Sequence, residues 1–321
     1  MKLRHRADVR TLLWVLAMPL VAGVQYARPE LVWFLSPLSC YLALAAGVFA
    51  HNHNHCPTFT NKRMNAIFAT ILSLFYGYPT FAWVPTHNLN HHKFVNRAGD
   101  ATITWRYTDK HNWLVASTYF FVSSYWQSEP IKDYIRKART QNRKLYRSIL
   151  LQYGVWGLNA VSLLALAIVL HGIGTGLFVW LGATFVPAFF ALWAIMLFNY
   201  IQHVHADPWS KHSHSRNFTG AVTNFFLFNN GFHGAHHENP GAHWSALPKI
   251  HAKIEAEIHP DLKQKNLLTF FWRSYVLALF DPKYGTRQVG RAPFDPPDGV
   301  QVDVRTAEVP AMEAGTNAAM V

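Results

Sequence analysis

Histidine is the residue type that stands out, at 19 of 321 residues. Nine of the 19 fall into three clusters, and eight of these nine are regularly spaced. His51-Asn-His53-Asn-His55 contains an H-x3-H pattern, with His53 between its ends. His87-Asn-Leu-Asn-His91-His92 reads H-x3-H-H, and His233-Gly-Ala-His236-His237 reads H-x2-H-H. His203 closes a further segment, Asn199-Tyr-Ile-Gln-His203. Residues three or four apart share one face of a helix, so each cluster can aim two imidazoles at one point. A single histidine near a membrane interface is ordinarily a polar surface group, but here that explanation would be needed three times. Converging neutral imidazoles make a metal site, and imidazole suits Zn, Cu, Fe and Ni. Eight clustered histidines plus His203 exceed what one four-coordinate zinc can use, so two metals are expected. Paired Glu-x-x-His motifs and H-E-x-x-H do not occur. With only Cys40 and Cys56, a disulfide framework, a thiolate zinc cluster and an iron–sulfur cluster are excluded.

The elements that must position these rings belong to a lipid-dissolved chain. Half of the residues are hydrophobic and 14% are charged, against about a quarter charged in an ordinary soluble domain. Four segments, residues 11–27, 30–50, 148–170 and 176–201, are apolar and long enough to cross about 30 Å of hydrocarbon. With Lys2, Arg4, Arg6 and Arg10 in the cytoplasm, Arg28 is the one basic residue left outside, so 28 of 29 lie on one side. That asymmetry accounts for the net charge of +12 without nucleic acid. Residues 12–23 could pass for a secretory signal, but an uncleaved first helix is the preferred reading. Residues 64–84, broken by Gly77-Tyr78-Pro79, and residues 111–127 are expected to lie in or dip into the interface. All the histidine clusters can then meet on the cytoplasmic side.

The expected fold class is all-α and integral to the membrane, with four transmembrane helices, interfacial helices and a cytoplasmic histidine-rich cap. Residues 1–290 form one domain in this reading, and residues 291–321 a disordered tail. Residues 131–147 are expected to form a basic amphipathic helix and residues 247–257 a further helix. The apolar stretch 266–280 should lie on the membrane or pack on the core.

In order, spacing and topology, the three boxes resemble those of the membrane-bound fatty-acid desaturase superfamily, over roughly residues 47–247. The resemblance implies an oxygen-activating di-iron centre with His51, His55, His87, His91, His92, His233, His236 and His237 as iron ligands. It implies His203 as a ninth, with Asn199 one turn earlier reaching a metal or its water. His53 lies on the wrong face of its helix. His205 could replace His203, which is preferred because Asn199 shares its face. His212, His214, His243, His251 and His259 are read as surface groups or as partners of ligands. Glu238 and Asp207 could accept ring N–H bonds from ligands or be solvated.

Such a centre would use O2 as co-substrate and draw electrons from an external donor. No ferredoxin cysteines, no Gly-x-Gly-x-x-Gly and no His-Pro-Gly-Gly occur. A separate ferredoxin or cytochrome b5-type donor with its reductase is therefore expected, docking on the basic 131–147 surface. The expected reaction is desaturation of a fatty acyl chain. The 3-3-2 spacing of the boxes also occurs in alkane hydroxylases. Residues 199–203 resemble their Asn-Tyr-x-Glu-His segment, with Gln202 in place of Glu, which keeps hydroxylation open. Oxidative decarboxylation of a free fatty acid to a 1-alkene stands beside it. A histidine-rich metal-binding or transport protein would need ionisable residues within the spans. The four segments hold almost none beyond their ends.

Overall fold

Apolar helices with polar caps account for nearly all the regular structure. The computed structural model describes residues 2–300, and strand is confined there to two dipeptides. Helices α1 (Asp8–Ala27) and α2 (Val32–His55) are followed by α3 (Lys62–Tyr76). Asn61 caps α3 by accepting the N–H groups of Arg63 and Met64. Gly77 ends it at φ 89°, where a side chain would also strike Ala188. The chain then leaves at 101° as a second helical stretch, Thr80–Phe94, so the break expected at 77–79 is present. Within that stretch Val84–His91 is π-helical, and α4 (His92–Phe94) closes it.

Helix α5 (Trp113–Gln141) runs unbroken through Pro130. Asn142 leaves helical geometry and caps α6 (Arg143–Trp180) by accepting the Leu145 N–H. The single basic helix expected over residues 131–147 is thus split, and the short aromatic segment 111–127 is the first half of a longer helix. The chain reverses at residues 171–176, in the gap between the apolar segments 148–170 and 176–201. Gly172 adopts φ 74°, and a Cβ on Gly176 would lie 2.7 Å from the Ala167 carbonyl oxygen, nine residues earlier. A straight helix would separate such residues by about 13 Å. The returning arm continues through π-helical Leu181–Phe185 into α7 (Val186–His203).

By contacts the described residues form two compact units, residues 2–84 with 134–195 and residues 85–133 with 196–300. In the first, Asp8–Ala27 and Pro29–His55 are long and apolar enough to cross a membrane. So is Arg143–His203, most of which belongs to this unit and which the Gly172 reversal divides into two arms. The bent pair of Lys62–Tyr76 with Thr80–Phe94 would make one more. Two contacts sort the ends of these helices. The His171 Nε2–H donates to the Tyr26 carbonyl at 2.7 Å, so the α1–α2 turn and the 171–176 reversal share one end. The Arg4 N–H donates to the Thr58 carbonyl at 2.9 Å, so the N-terminus and the His51–His55 turn share the other. Outward faces carry Leu16, Leu20, Phe34, Val161 and Val169, exposed and uninterrupted by charge.

The second unit has a different interior. Its apolar core is small, built on Phe232, Ala235, Leu247, Ile254, Leu262 and Val289. Strand β1 (Asn217–Phe218) pairs in parallel with β2 (Lys263–Gln264), tying the short helices α8 (Ala221–Phe226), α9 (His233–Glu238), α10 (Leu247–Ile254) and α11 (Leu267–Phe271) together. Asn96, Asp100, Arg216, Asn217 and Asn224 are buried beside that core and hydrogen-bonded. In the stretch 266–280, Phe270, Ser274 and Tyr275 pack inward while Leu268, Trp272, Leu279 and Phe280 face out. One face of that stretch therefore packs on the protein, and the other is apolar and exposed. Of the tail expected over residues 291–321, residues 301–321 lie outside the described residues.

Candidate metal centre

The π-helical turn sets the geometry of the second cluster. In π-helix the i and i+5 positions stack, and His87 and His92 bring their Nε2 atoms to 3.1 Å. His92 Nε2 is also 3.0 Å from His236 Nε2. His91, one residue earlier, turns to another side and meets His203, with Nε2 atoms 3.1 Å apart. Helix α9 divides in the same way. His233 and His237, one turn apart, join His203, with Nε2–Nε2 distances of 2.9 Å (His203–His233) and 3.1 Å (His233–His237). The second unit thus holds two groups of imidazoles, each with ligand atoms within 4.8 Å of one another: His87, His92 and His236, and His91, His203, His233 and His237. The groups are adjacent, the His92 and His237 rings lying 4.4 Å apart. In the first unit His51 and His55 form a pair at the end of α2, with ring centroids 4.9 Å apart and Trp83 beside His51.

Hydrogen bonds behind the rings decide what their front nitrogens carry. His91 Nδ1–H donates to Asp100 Oδ2 at 2.8 Å, a carboxylate fully buried and lacking any proton to give. His203 Nδ1–H donates to the His214 carbonyl at 3.2 Å. In their neutral forms both rings therefore face one another with Nε2 lone pairs, an arrangement that repels unless a cation lies between them. The spacing fits one. Nitrogens about 2.1 Å from a common ion are about 3.0 Å apart at a right angle and about 3.4 Å apart at the tetrahedral angle. Separations of 2.9–3.1 Å are short enough for these neighbouring rings to share an ion. Burial, followed by the neighbouring imidazoles of His92, His233, His91 and His203, holds the His237 ring well below the usual histidine range, so it too offers a lone pair.

Residues 29–268 match the family model described as fatty acid desaturase. The chain belongs to the fatty acid desaturase family. No curated protein and no solved structure matches it. Family membership together with the apolar helices makes this an integral membrane oxidoreductase, and its histidine groups are consistent with the di-iron chemistry of fatty acyl oxidation.

The other candidate residues of this desaturase-family chain sort by position. His205 sits at φ 58° with its ring turned away, Nε2 toward the Asp109 carbonyl and Nδ1 toward Thr286. His53 is buried between Thr58 and the Asn65 carbonyl, apart from His51 and His55. Asn199 Nδ2 donates to Tyr119 Oη at 3.2 Å, and the Tyr119 hydroxyl donates to the Thr102 carbonyl. His212, His214, His243 and His251 are buried rather than on the surface, and Glu238 bonds His212. Asp207 accepts the N–H groups of Trp209 and Ser210 in a turn.

Sequence reasoning missed the residues that support the rings. Asp100 also accepts Asn96 N–H, Thr102 N–H and the Thr102 hydroxyl, each at 2.7 Å. Burial pushes its pKa up, but the charge and hydrogen bond of His91 and the bonds from Thr102 and Asn96 outweigh it and lower it to about 2. The end of α7 is clamped as well. Its last carbonyls have no partner within the helix, yet Arg216 Nη1 takes those of Ile201 and Val204, the Arg216 N–H takes Gln202, and Asn96 Nδ2 takes His203. In the sequence Asp100 is an isolated acid eight residues past a histidine box, and Arg216 one arginine among many, so neither carries a pattern.

Proposed function

We propose that the protein is an O2-dependent di-iron oxidoreductase that oxidises an unactivated C–H bond of a fatty acyl chain, acting as a desaturase. The observation that carries this is the pair of imidazole groups whose ring nitrogens converge within reach of a shared ion inside a desaturase-family chain. In this reading His91, His203, His233 and His237 hold one iron. His87, His92 and His236 hold the other, and His51 and His55 of the first unit are also proposed as iron ligands. The number of clustered imidazoles exceeds what one four-coordinate zinc can use. When bound, the irons supply activation of O2 and removal of hydrogen from carbon. The chain's own part is to hold neutral, pre-oriented rings. Asp100 and the His214 carbonyl fix the tautomers of His91 and His203, and Asn199 positions Tyr119 beside Thr102.

The reading further includes four membrane crossings, with the N-terminus and the centre facing the cytoplasm, and a ferredoxin or cytochrome b5-type donor with its reductase. The reading also takes the residues up to 290 as one catalytic domain. The test is mass spectrometry of fatty acids, alcohols and volatiles from cells expressing the chain with a donor system, beside His236→Ala. A new double bond that disappears in the variant supports desaturation. An added oxygen, or an alkene one carbon shorter, moves the chain to the hydroxylase or decarboxylase branch. Unaltered lipids with electrons supplied would overturn the reading.

A further inference from the structure

Arg216 is among the most buried side chains of the molecule, at 2% exposure. No carboxylate lies within 4 Å of its guanidinium among the described residues. Its Nη1 is spent on the Ile201 and Val204 carbonyls. The opposite edge, Nε and Nη2, makes no hydrogen bond to any described residue, and Nε is fully buried. That edge is the planar fork that matches a carboxylate with two parallel N–H bonds. Buried charges without a counter-ion are rare because desolvation is costly.

The groups around it are in the same condition. Tyr275 is 6% exposed and its hydroxyl has no partner. Both ring nitrogens of His111 and the Ser274 hydroxyl also lack one. The His111 ring stacks on Tyr200 at 5.6 Å and lies 4.9 Å from the Tyr275 ring. Arg216 is in electrostatic reach of Tyr275, Arg273, Tyr200, the more distant Asp261 carboxylate and His111. Guanidinium, phenol, imidazole and hydroxyl can each donate to a single acceptor. The remaining surroundings are aromatic: Phe270 lies 5.1 Å from the guanidinium, and Trp113 and Phe271 flank Tyr275. Unpartnered donors grouped among aromatic rings suit an anion carrying an apolar chain better than a small hydrated ion.

We propose that Arg216, Tyr275 and His111 form a carboxylate-binding site that takes the head group of a free fatty acid. This rests on the reading of the protein as a fatty acyl oxidase and narrows its substrate class to the free acid, because a thioester or ester has no carboxylate to offer. Arg216 also caps the turn that carries His203, so the bound head group sits next to that turn.

The test uses the purified full chain in detergent, without O2 or reductant, and equilibrium dialysis with labelled palmitate, palmityl alcohol and methyl palmitate. Palmitate should bind at least about tenfold more tightly than the other two, the size of one or two hydrogen bonds to a charged group. Tyr275→Phe, which keeps the ring and caps nothing, should weaken palmitate binding by roughly tenfold and leave the alcohol unchanged. Arg216→Gln should abolish the preference, and its iron content reports separately whether the His203 turn has survived. Equal binding of the three lipids, or palmitate binding unaltered by Tyr275→Phe, overturns the proposal. Palmitate selectivity without any oxidised product would refute the oxidase reading and leave the site. Product formed without that selectivity would refute the site alone.

Discussion

The two units of the chain bury polar atoms in opposite ways. In the first, the buried polar groups are mainly hydroxyls and amides, several paired across helices, with the Asp8 carboxylate and the His51 and His53 rings besides. The Ser36 hydroxyl donates to the Gly182 carbonyl, the Ser39 hydroxyl to Gln25, and Tyr26 pairs with Thr184. Its outer faces are aliphatic and need no partner if lipid covers them. In the second unit a carboxylate and a guanidinium are fully buried, and histidines crowd together beside a small apolar core. The first resembles a scaffold whose helices are held by close packing. The second is a polar lattice whose stability depends on each donor finding its acceptor.

The largest effect should come from removing a ring at the centre of that lattice. His203→Ala should eliminate lipid oxidation and lower bound iron by at least half, as read by product analysis and elemental analysis of purified protein. Retained iron with retained turnover would show that the group around His203 is structural. Next, Asp100→Asn replaces a pure acceptor with an amide that can offer His91 the wrong group. Iron affinity should fall about 10–100-fold, in line with the usual cost of losing a partner behind a metal ligand. A chelator titration monitors it.

In the scaffold the corresponding weak point is a close approach. A Cβ on Gly182 would lie 2.4 Å from Val32 Cγ1 and 3.0 Å from Ser36 Oγ. Gly182→Val should destabilise the detergent-solubilised protein by about 1–3 kcal/mol through overpacking, measured as a lowered melting temperature.

A smaller effect separates the units by pH. Burial, aided by Arg216 and His205, pushes the His111 pKa down from 6.5 to about 3. A pKa lowered by folding contributes stability that is complete above the unfolded value and is lost as pH falls toward the folded one. Wild-type protein should therefore lose about 1 kcal/mol from this group between pH values of about 7 and 5.5, and His111→Gln should flatten that slope. Parallel melting curves for the two proteins would refute it. Smallest of all, Leu20→Ala on the exposed face of α1 should shift stability by less than about 0.5 kcal/mol.

Much of the scaffold was legible because hydrophobic length and Gly or Pro breaks are local signals. The turn at Gly77 and the reversal at Gly172 both fall where the chain reads as broken. The boundary at Asn142 was misread because basic residues continue across it, and only the cap geometry marks it. The histidine spacings named the candidate rings but not how they divide. Expectation paired neighbours within each box, whereas the second and third boxes are split between two groups, the π-helical segment bringing His87 to His92 rather than to His91.

By itself the sequence determined the membrane character, the helical class and the histidine set, because composition and short spacings act through local periodicity. Only the tertiary structure decided which rings share a centre and which group stands behind each. Asp100 meets His91, and Arg216 meets the last turn of α7, through contacts made only once the chain has folded back on itself. Such partners are single residues without a repeating pattern, selected by the position of one donor or acceptor in space.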